Sequence, residues 1–88
     1  MHLNPKYILR EVAGETLLIS LQDISAPKKI ICLNELGKEI YFLLQKGLSR
    51  QAITAELLSQ YDVERDVLIS DIDEFLSTLL RHNILLEG

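Results

Sequence analysis

Two runs near the start of the chain, Lys6–Val12 and Thr16–Leu21, are dense in β-branched and aliphatic residues, with Ala13-Gly14-Glu15 between them. A glycine in so short a connection predicts a β-hairpin. In the second run Leu17, Ile19 and Leu21 share one face and Leu18, Ser20 and Gln22 the other, an alternation that suits a sheet with one covered face. Asp23–Lys28, with Pro27, reads as a loop. Lys29–Leu33 then reads as a third short strand, apolar on both faces through Ile30, Ile31, Cys32 and Leu33.

Beyond Leu33 the period changes from two to 3.6. Asn34 is placed to cap a first helix, about 35–46, whose buried stripe is Leu36, Ile40, Leu43 and Leu44. Gly47 suits the left-handed position after the helix end. Ser49 caps a second helix, about 50–60, with Ile53, Leu57 and Tyr61 facing inward. A third helix, about 64–82, has its centre line at Leu68, Ile72, Phe75 and Leu79. Ile69, Leu76 and Leu80 widen that stripe to roughly 140°, more than the usual apolar face. The chain closes on an apolar tail, Ile84-Leu85-Leu86. The expected fold is α+β and winged-helix-like: a three-stranded antiparallel sheet followed by three helices, in one domain over residues 1–88.

That strand-then-three-helix order is the usual plan of a small DNA reader, whose last helix lies on DNA. Here the third helix carries Glu64, Asp66, Asp71, Asp73 and Glu74 against only Arg65 and Arg81, a balance of about -3 that repels phosphate. The whole chain is also acidic, at -4, and its cations are scattered except for Lys28-Lys29. Nucleic acid and anionic membrane are therefore not the expected partners. No signal-peptide stretch opens the chain and no apolar run reaches membrane-spanning length. With a single cysteine, Cys32, an internal disulfide is impossible, and a reducing cytoplasmic setting is the simplest one. At 88 residues the core is modest, so dimerisation stays open as a source of stability.

No catalytic constellation is evident. His2 lies at a terminus expected to be mobile, and His82 at a helix end, where it is placed to meet the last carbonyls. Cys32 has no histidine near it in sequence and reads as a small buried hydrophobe. There is no HExxH, CxxC or glycine-rich phosphate loop, so neither a metal nor a cofactor is expected. Asp71 and Asp73 diverge by about 200° on a helix and do not converge on one substrate. The chain is not expected to be an enzyme. What remains is recognition. A short strand apolar on both faces either meets the core with one face and a helix with the other, or lies at a sheet edge that accepts an added peptide strand.

The ordered set Leu33-Asn34-Glu35-Leu36-Gly37, Ile40 with Leu43-Leu44, Tyr61-Asp62-Val63, Asp71-Ile72-Asp73-Glu74-Phe75-Leu76 with Leu79, and Ile84-Leu85 resembles the PqqD-like family. These small proteins are related to the peptide chaperone of pyrroloquinoline quinone biosynthesis and are also called RiPP recognition elements. The hairpin Tyr7–Ile19 resembles their opening. There are departures: Glu64-Arg65 stands where members often have Asp-Pro, His82-Asn83 where many have glycine, and Ser25-Ala26-Pro27 where a glycine-containing turn is common. Glutamate is the weaker cap, and Asn83 is able to take the left-handed conformation instead of glycine.

The resemblance implies three antiparallel strands, three helices and a role in holding the leader of a ribosomally made precursor peptide. It also implies a modifying enzyme as partner, often a radical S-adenosylmethionine enzyme, and a chain of this length suggests that partner is encoded separately. The leader would add beside the third strand, at Lys29, Ile30, Ile31, Cys32 and Leu33, and pack against the third helix. A helical wheel offers two flanks for that packing: Val67, Asp71, Glu74 and Thr78, or Ile69, Asp73, Leu76 and Leu80. The first is preferred, because packing against the other helices readily explains the apolar flank. Asp71 and Glu74 would then favour a basic leader residue. Two other readings remain: an adaptor whose open edge pairs with its own twin as a homodimer, and a DNA-binding winged helix.

Overall fold

The computed structural model describes residues 1–21 and 30–87. The order is β1 (His2–Leu3), β2 (Tyr7–Val12), β3 (Glu15–Ser20), β4 (Ile30–Leu33), α1 (Glu35–Gln45), α2 (Arg50–Gln60), α3 (Arg65–Arg81) and β5 (Leu85–Leu86). The loop expected over Asp23–Lys28, the strand start at Lys29 and the departure at Ser25-Ala26-Pro27 lie outside the described residues.

β2 and β3 form the hairpin that the glycine predicts, with Val12 opposite Glu15. Ala13 and Gly14 both take positive φ, at 53° and 82°, the two-residue turn whose twist matches that of its strands. β4 pairs antiparallel with β3, giving the order β2-β3-β4. Its register places Leu18 beside Leu9 and Ile31, and Ile19 beside Ile8 and Ile30.

The alternation within β3 is resolved against its hydrophobicity. Thr16, Leu18 and Ser20 face the helices, at 7%, 0% and 4% exposure, while Leu17 and Ile19 are only half-buried and Leu21 is 57% exposed. The inward face is fixed by the row Leu9–Leu18–Ile31, which meets the helical core. The outward face, apart from Arg10 and Glu15, is apolar in every strand position. Cys32 belongs to that outward face and is exposed, which corrects its reading as a buried residue.

Each helix starts and stops for local reasons. Asn34 Oδ1 accepts from the Gly37 amide at 2.7 Å and Ser49 Oγ from the Ala52 amide at 3.2 Å, so both predicted caps form. Glu64 stands at the start of α3 with no side-chain cap bond, and that helix begins at Arg65. Gly47 and Asn83 end α1 and α3 in the left-handed conformation, at φ 85° and 57°. Behind each, the next amide reaches back five residues, Leu48 to the Leu43 carbonyl and Ile84 to that of Leu79.

The core joins the sheet's inward face to Ile40, Ile53, Leu57, Ile72, Leu76 and Leu79, all fully buried. In α3 the centre of the stripe is Leu76 rather than Phe75, which is displaced to the edge of the core.

The expectation of a mobile terminus at His2 is corrected. β1 pairs with β5, His2 opposite Leu86 and Leu3 opposite Leu85. The Asn4 amide donates to the Ile84 carbonyl and its Nδ2 to the Asn83 carbonyl, both at 2.8 Å. Ile84 and Leu85 are buried, so the tail is core, and covering it is what draws the N-terminus in.

Candidate functional site

Leu33, Asn34 and Gly37 form one local device at the junction of β4 and α1. Leu33 is 6% exposed and anchors the end of the strand in the core. Asn34 turns the chain into the helix by capping it. Gly37 leaves room for the Phe75 ring of α3: a Cβ there would sit 2.9 Å from Phe75 Cε1 and 3.1 Å from the cap oxygen. α3 is thereby held close to the start of α1, and a cavity of about 330 Å³ opens between them. Its walls are Asn34, Leu36 and Gly37 on one side and Asp71, Glu74, Phe75 and Thr78 on the other.

Three of the four residues on the preferred flank of the third helix meet at this cavity: Asp71, Glu74 and Thr78. Val67, 53% exposed, lies one turn earlier on the same flank and outside the lining. Asp71 and Glu74 are both exposed and form no ion pair with any described residue. The Thr78 hydroxyl donates to the Glu74 carbonyl at 3.0 Å and accepts from Arg81 Nη2 at 3.2 Å. The cavity therefore joins apolar surface at Leu36 and Phe75 to two negative charges without an ion-pair partner among the described residues.

β4 ends at Leu33, next to Asn34 in the cavity wall, and lies at the edge of the described sheet, paired on one side only. An edge strand presents unpaired amides and carbonyls along its free side. Of the strand residues expected to bind, Ile31 and Leu33 point inward, where Leu33 is buried and Ile31 packs on the core. Ile30, 58% exposed, and Cys32 point outward. What all four offer an added strand in common is backbone. Lys29 lies outside the described residues.

The other flank of α3 has separate surroundings. Leu76 is fully buried and Leu80 packs on the core. Ile69 and Asp73 line a second cavity, also about 330 Å³, between α2 and α3, together with Ala55, Leu58, Arg50 and Arg65. Asp73 pairs there with Arg50 at 3.3 Å, so Asp71 and Asp73 do face apart, as the helical spacing requires.

Sequence reasoning missed the opposing wall, Asn34, Leu36 and Gly37, because a cap, an apolar stripe residue and a helix-start glycine each have a local explanation. It also assigned Phe75 wholly to the core. The available signal was the glycine within the first turn of α1, which costs helix propensity and so marks a close approach.

Among the described residues no group of three or more His, Cys, Asp or Glu comes together to hold a metal ion. The His82 imidazole makes no hydrogen bond among them; it is the His82 carbonyl that accepts, from the Tyr7 hydroxyl at 3.1 Å. No described helix is long and apolar enough to cross a membrane.

Two solved structures share the whole fold at 23% sequence identity. TbiB1 in complex with the TbiA(beta) leader peptide superposes with a TM-score of 0.82, covering 100% of this chain and 98% of that one. Lasso peptide synthetase B1 complexed with the leader peptide gives 0.79, covering 98% and 96%. No curated protein sequence matches the chain. The family model for coenzyme PQQ synthesis protein D (PqqD) matches residues 15–85, from the start of β3 through the first residue of β5. Taken with the Leu33–Gly37 device and the α3 cavity that the fold builds, that match places this chain in the PqqD family.

Proposed function

We propose that the chain is a non-catalytic module that binds the leader of a ribosomally synthesised precursor peptide and presents it to a modifying enzyme. The observation that carries this reading is the placement of β4, an edge strand of the described sheet that leads directly into Asn34 in the wall of a cavity also walled by α3. The two fold neighbours, each captured with a leader peptide, support it.

The leader adds as a strand to the free side of β4, along Lys29–Leu33. Backbone pairing sets its register with little demand on sequence. Alternate side chains then enter the cavity, where Leu36 and Phe75 offer apolar contact and Asp71 and Glu74 attract a basic residue. Such exposed pairs are worth only about 0–1 kcal/mol, so they choose among leaders more than they hold one. Val67 and Thr78 extend the contact along the helix in both directions.

Catalysis belongs to the partner, a modifying enzyme; a radical S-adenosylmethionine enzyme is the class that the family resemblance implies. The module raises the rate by effective concentration, because a bound leader tethers the rest of the precursor beside the enzyme. The compartment is the cytoplasm, where precursors are made.

An isotope-edited NMR titration with leader peptides from reading frames beside the gene tests this. Shifts concentrated on Ile30–Leu33 and on Asp71, Glu74, Phe75 and Thr78 are expected. No shifts with any of them, in a folded sample, would overturn the reading. Ile31→Pro and Cys32→Pro make a paired test. Successive strand amides point to opposite sides, so one substitution removes a bond to β3 and the other an edge donor. The variant that keeps its melting temperature should lose peptide affinity. The free β4 edge also admits a twin chain, and sedimentation with and without peptide separates that homodimer from a leader complex.

A further inference from the structure

The two cavities that α3 walls carry opposite charge. Asp71 and Glu74 make the one beside α1 negative. The groove between α2 and α3 is lined instead by Arg50 and Arg65 against the single acid Asp73, a local reversal in a chain of net charge -4. Arg50 is engaged by Asp73 at 3.3 Å, whereas Arg65 makes no ion pair with any described residue. Arg65, Ile69 and Asp73 follow one another at single-turn spacing along α3, so an apolar position separates the free cation from the paired one. Ala55 and Leu58 of α2 add to that apolar surface; Ala55 is exposed, and Leu58 and Ile69 are half-buried.

We propose that this groove seats a short amphipathic helix of the modifying enzyme, its apolar side chains on Ala55, Leu58 and Ile69 and a carboxylate on Arg65. The proposal rests on the leader-binding reading above. The lining comes from α2 and α3 alone, so an extended segment laid there would find no strand to pair with, whereas a helix satisfies its own backbone. The eight residues from Arg65 to Asp73 span about 12 Å, room for about two turns of a bound helix. Such a helix anchors through apolar side chains three, four and seven positions apart. Charge complementarity selects an acidic occupant here and a basic one on the far side of α3, so the two cavities sort enzyme from leader by sign. With α3 as their common wall, both are held at once, about one helix diameter apart.

Shape and charge decide against a second copy of this chain. A twofold pair applies one patch to itself, which would set groove against groove with neither copy supplying a ridge to fill the other. A head-to-tail contact would need an exposed helix face that is both apolar and acidic. On α3 that face is Val67 with Asp71 and Glu74, and it belongs to the leader. Self-association through it would compete with leader binding, whereas an enzyme helix in the groove leaves the leader side open.

The test uses a purified modifying enzyme from the same gene neighbourhood, a fluorescent leader peptide, and the single variants Arg65→Glu and Ala55→Glu. Both positions are exposed and lie outside the leader cavity, and glutamate is a good helix former, so melting temperature should hold. Leader affinity should stay within about twofold in each variant, and enzyme affinity should fall at least tenfold. Arg65→Lys, which keeps the charge, should retain most of the enzyme affinity. Independently of any variant, the Leu58 and Ile69 methyl signals of the wild-type chain should shift when enzyme is added, with or without leader. Enzyme binding that both glutamate variants leave unchanged, or that leaves those methyls undisturbed, would overturn the proposal. So would an enzyme that does not bind the wild-type chain at all, or a wild-type dimer that Arg65→Glu converts to monomer, which would give the groove to a second copy. Failure of the wild-type chain to bind leader without enzyme would show separately that the underlying reading is wrong.

Discussion

Gly37 shows how one residue serves both fold and site. An added Cβ meets the Phe75 ring at 2.9 Å, and the ring's open side is the cavity. Gly37→Ala gains about 1 kcal/mol of helix propensity and spends it on displacing that ring. Stability should change by less than about 1 kcal/mol, since the overpacking is relieved into open space. Peptide affinity should fall about tenfold as the ring fills the cavity. Calorimetric melting beside a peptide titration separates the two effects. At Asn34 the effect is on stability, and Asn34→Ala should cost about 1 kcal/mol through loss of the cap. Tyr41 gives the chain a pH dependence. Burial raises its phenol above the ordinary value of 10.0. The folded value therefore exceeds the unfolded one, so this contribution is intact below about pH 10 and is lost as pH rises through the folded value. Urea melts of Tyr41→Phe at pH 8 and 11 should show a shallower alkaline loss than the parent chain.

The elements themselves were largely legible in the sequence, because their signals are local. Asn34 and Ser49 at the helix starts, Gly47 and Asn83 at the ends, and Gly14 in the hairpin act within a few residues, and each takes the predicted role. Stripe centres were less legible. Phe75 and Leu76 are adjacent and both apolar, and a wheel does not tell which one meets the sheet and which the neighbouring helix. Leu76 is fully buried, whereas Phe75 is half-buried against Gly37. Leu76→Ala should accordingly cost about 2–5 kcal/mol by leaving a core void. Asn83→Gly should be neutral or slightly stabilising, since the left-handed φ of 57° suits glycine better. Asn83→Val should cost about 1–2 kcal/mol at the same position, read by denaturant midpoint.

Across the whole molecule, the chain ends meet in the β1–β5 ribbon, which covers Ile84 and Leu85. Removing Met1–Asn4 should uncover that apolar surface and the Leu3 contact, costing about 1.5–3 kcal/mol. The melting temperature should drop by several degrees per kcal/mol while peptide binding persists, because the α3 cavity lies elsewhere. The sequence by itself determined the α+β class, the hairpin, three helices with their caps, and an acidic third helix poorly suited to DNA. Those follow from short-range periodicity, turn chemistry and charge. Only the tertiary structure decided which face of the sheet lies inside, since β3 carries apolar residues on both faces and its more apolar one ended outside. It also decided that two dipeptide strands at opposite ends of the chain would pair, and that Gly37, Phe75, Asp71 and Glu74 would share one cavity. Such outcomes depend on contacts between residues far apart in sequence, where the hydrophobic pattern offers several partners and packing chooses among them.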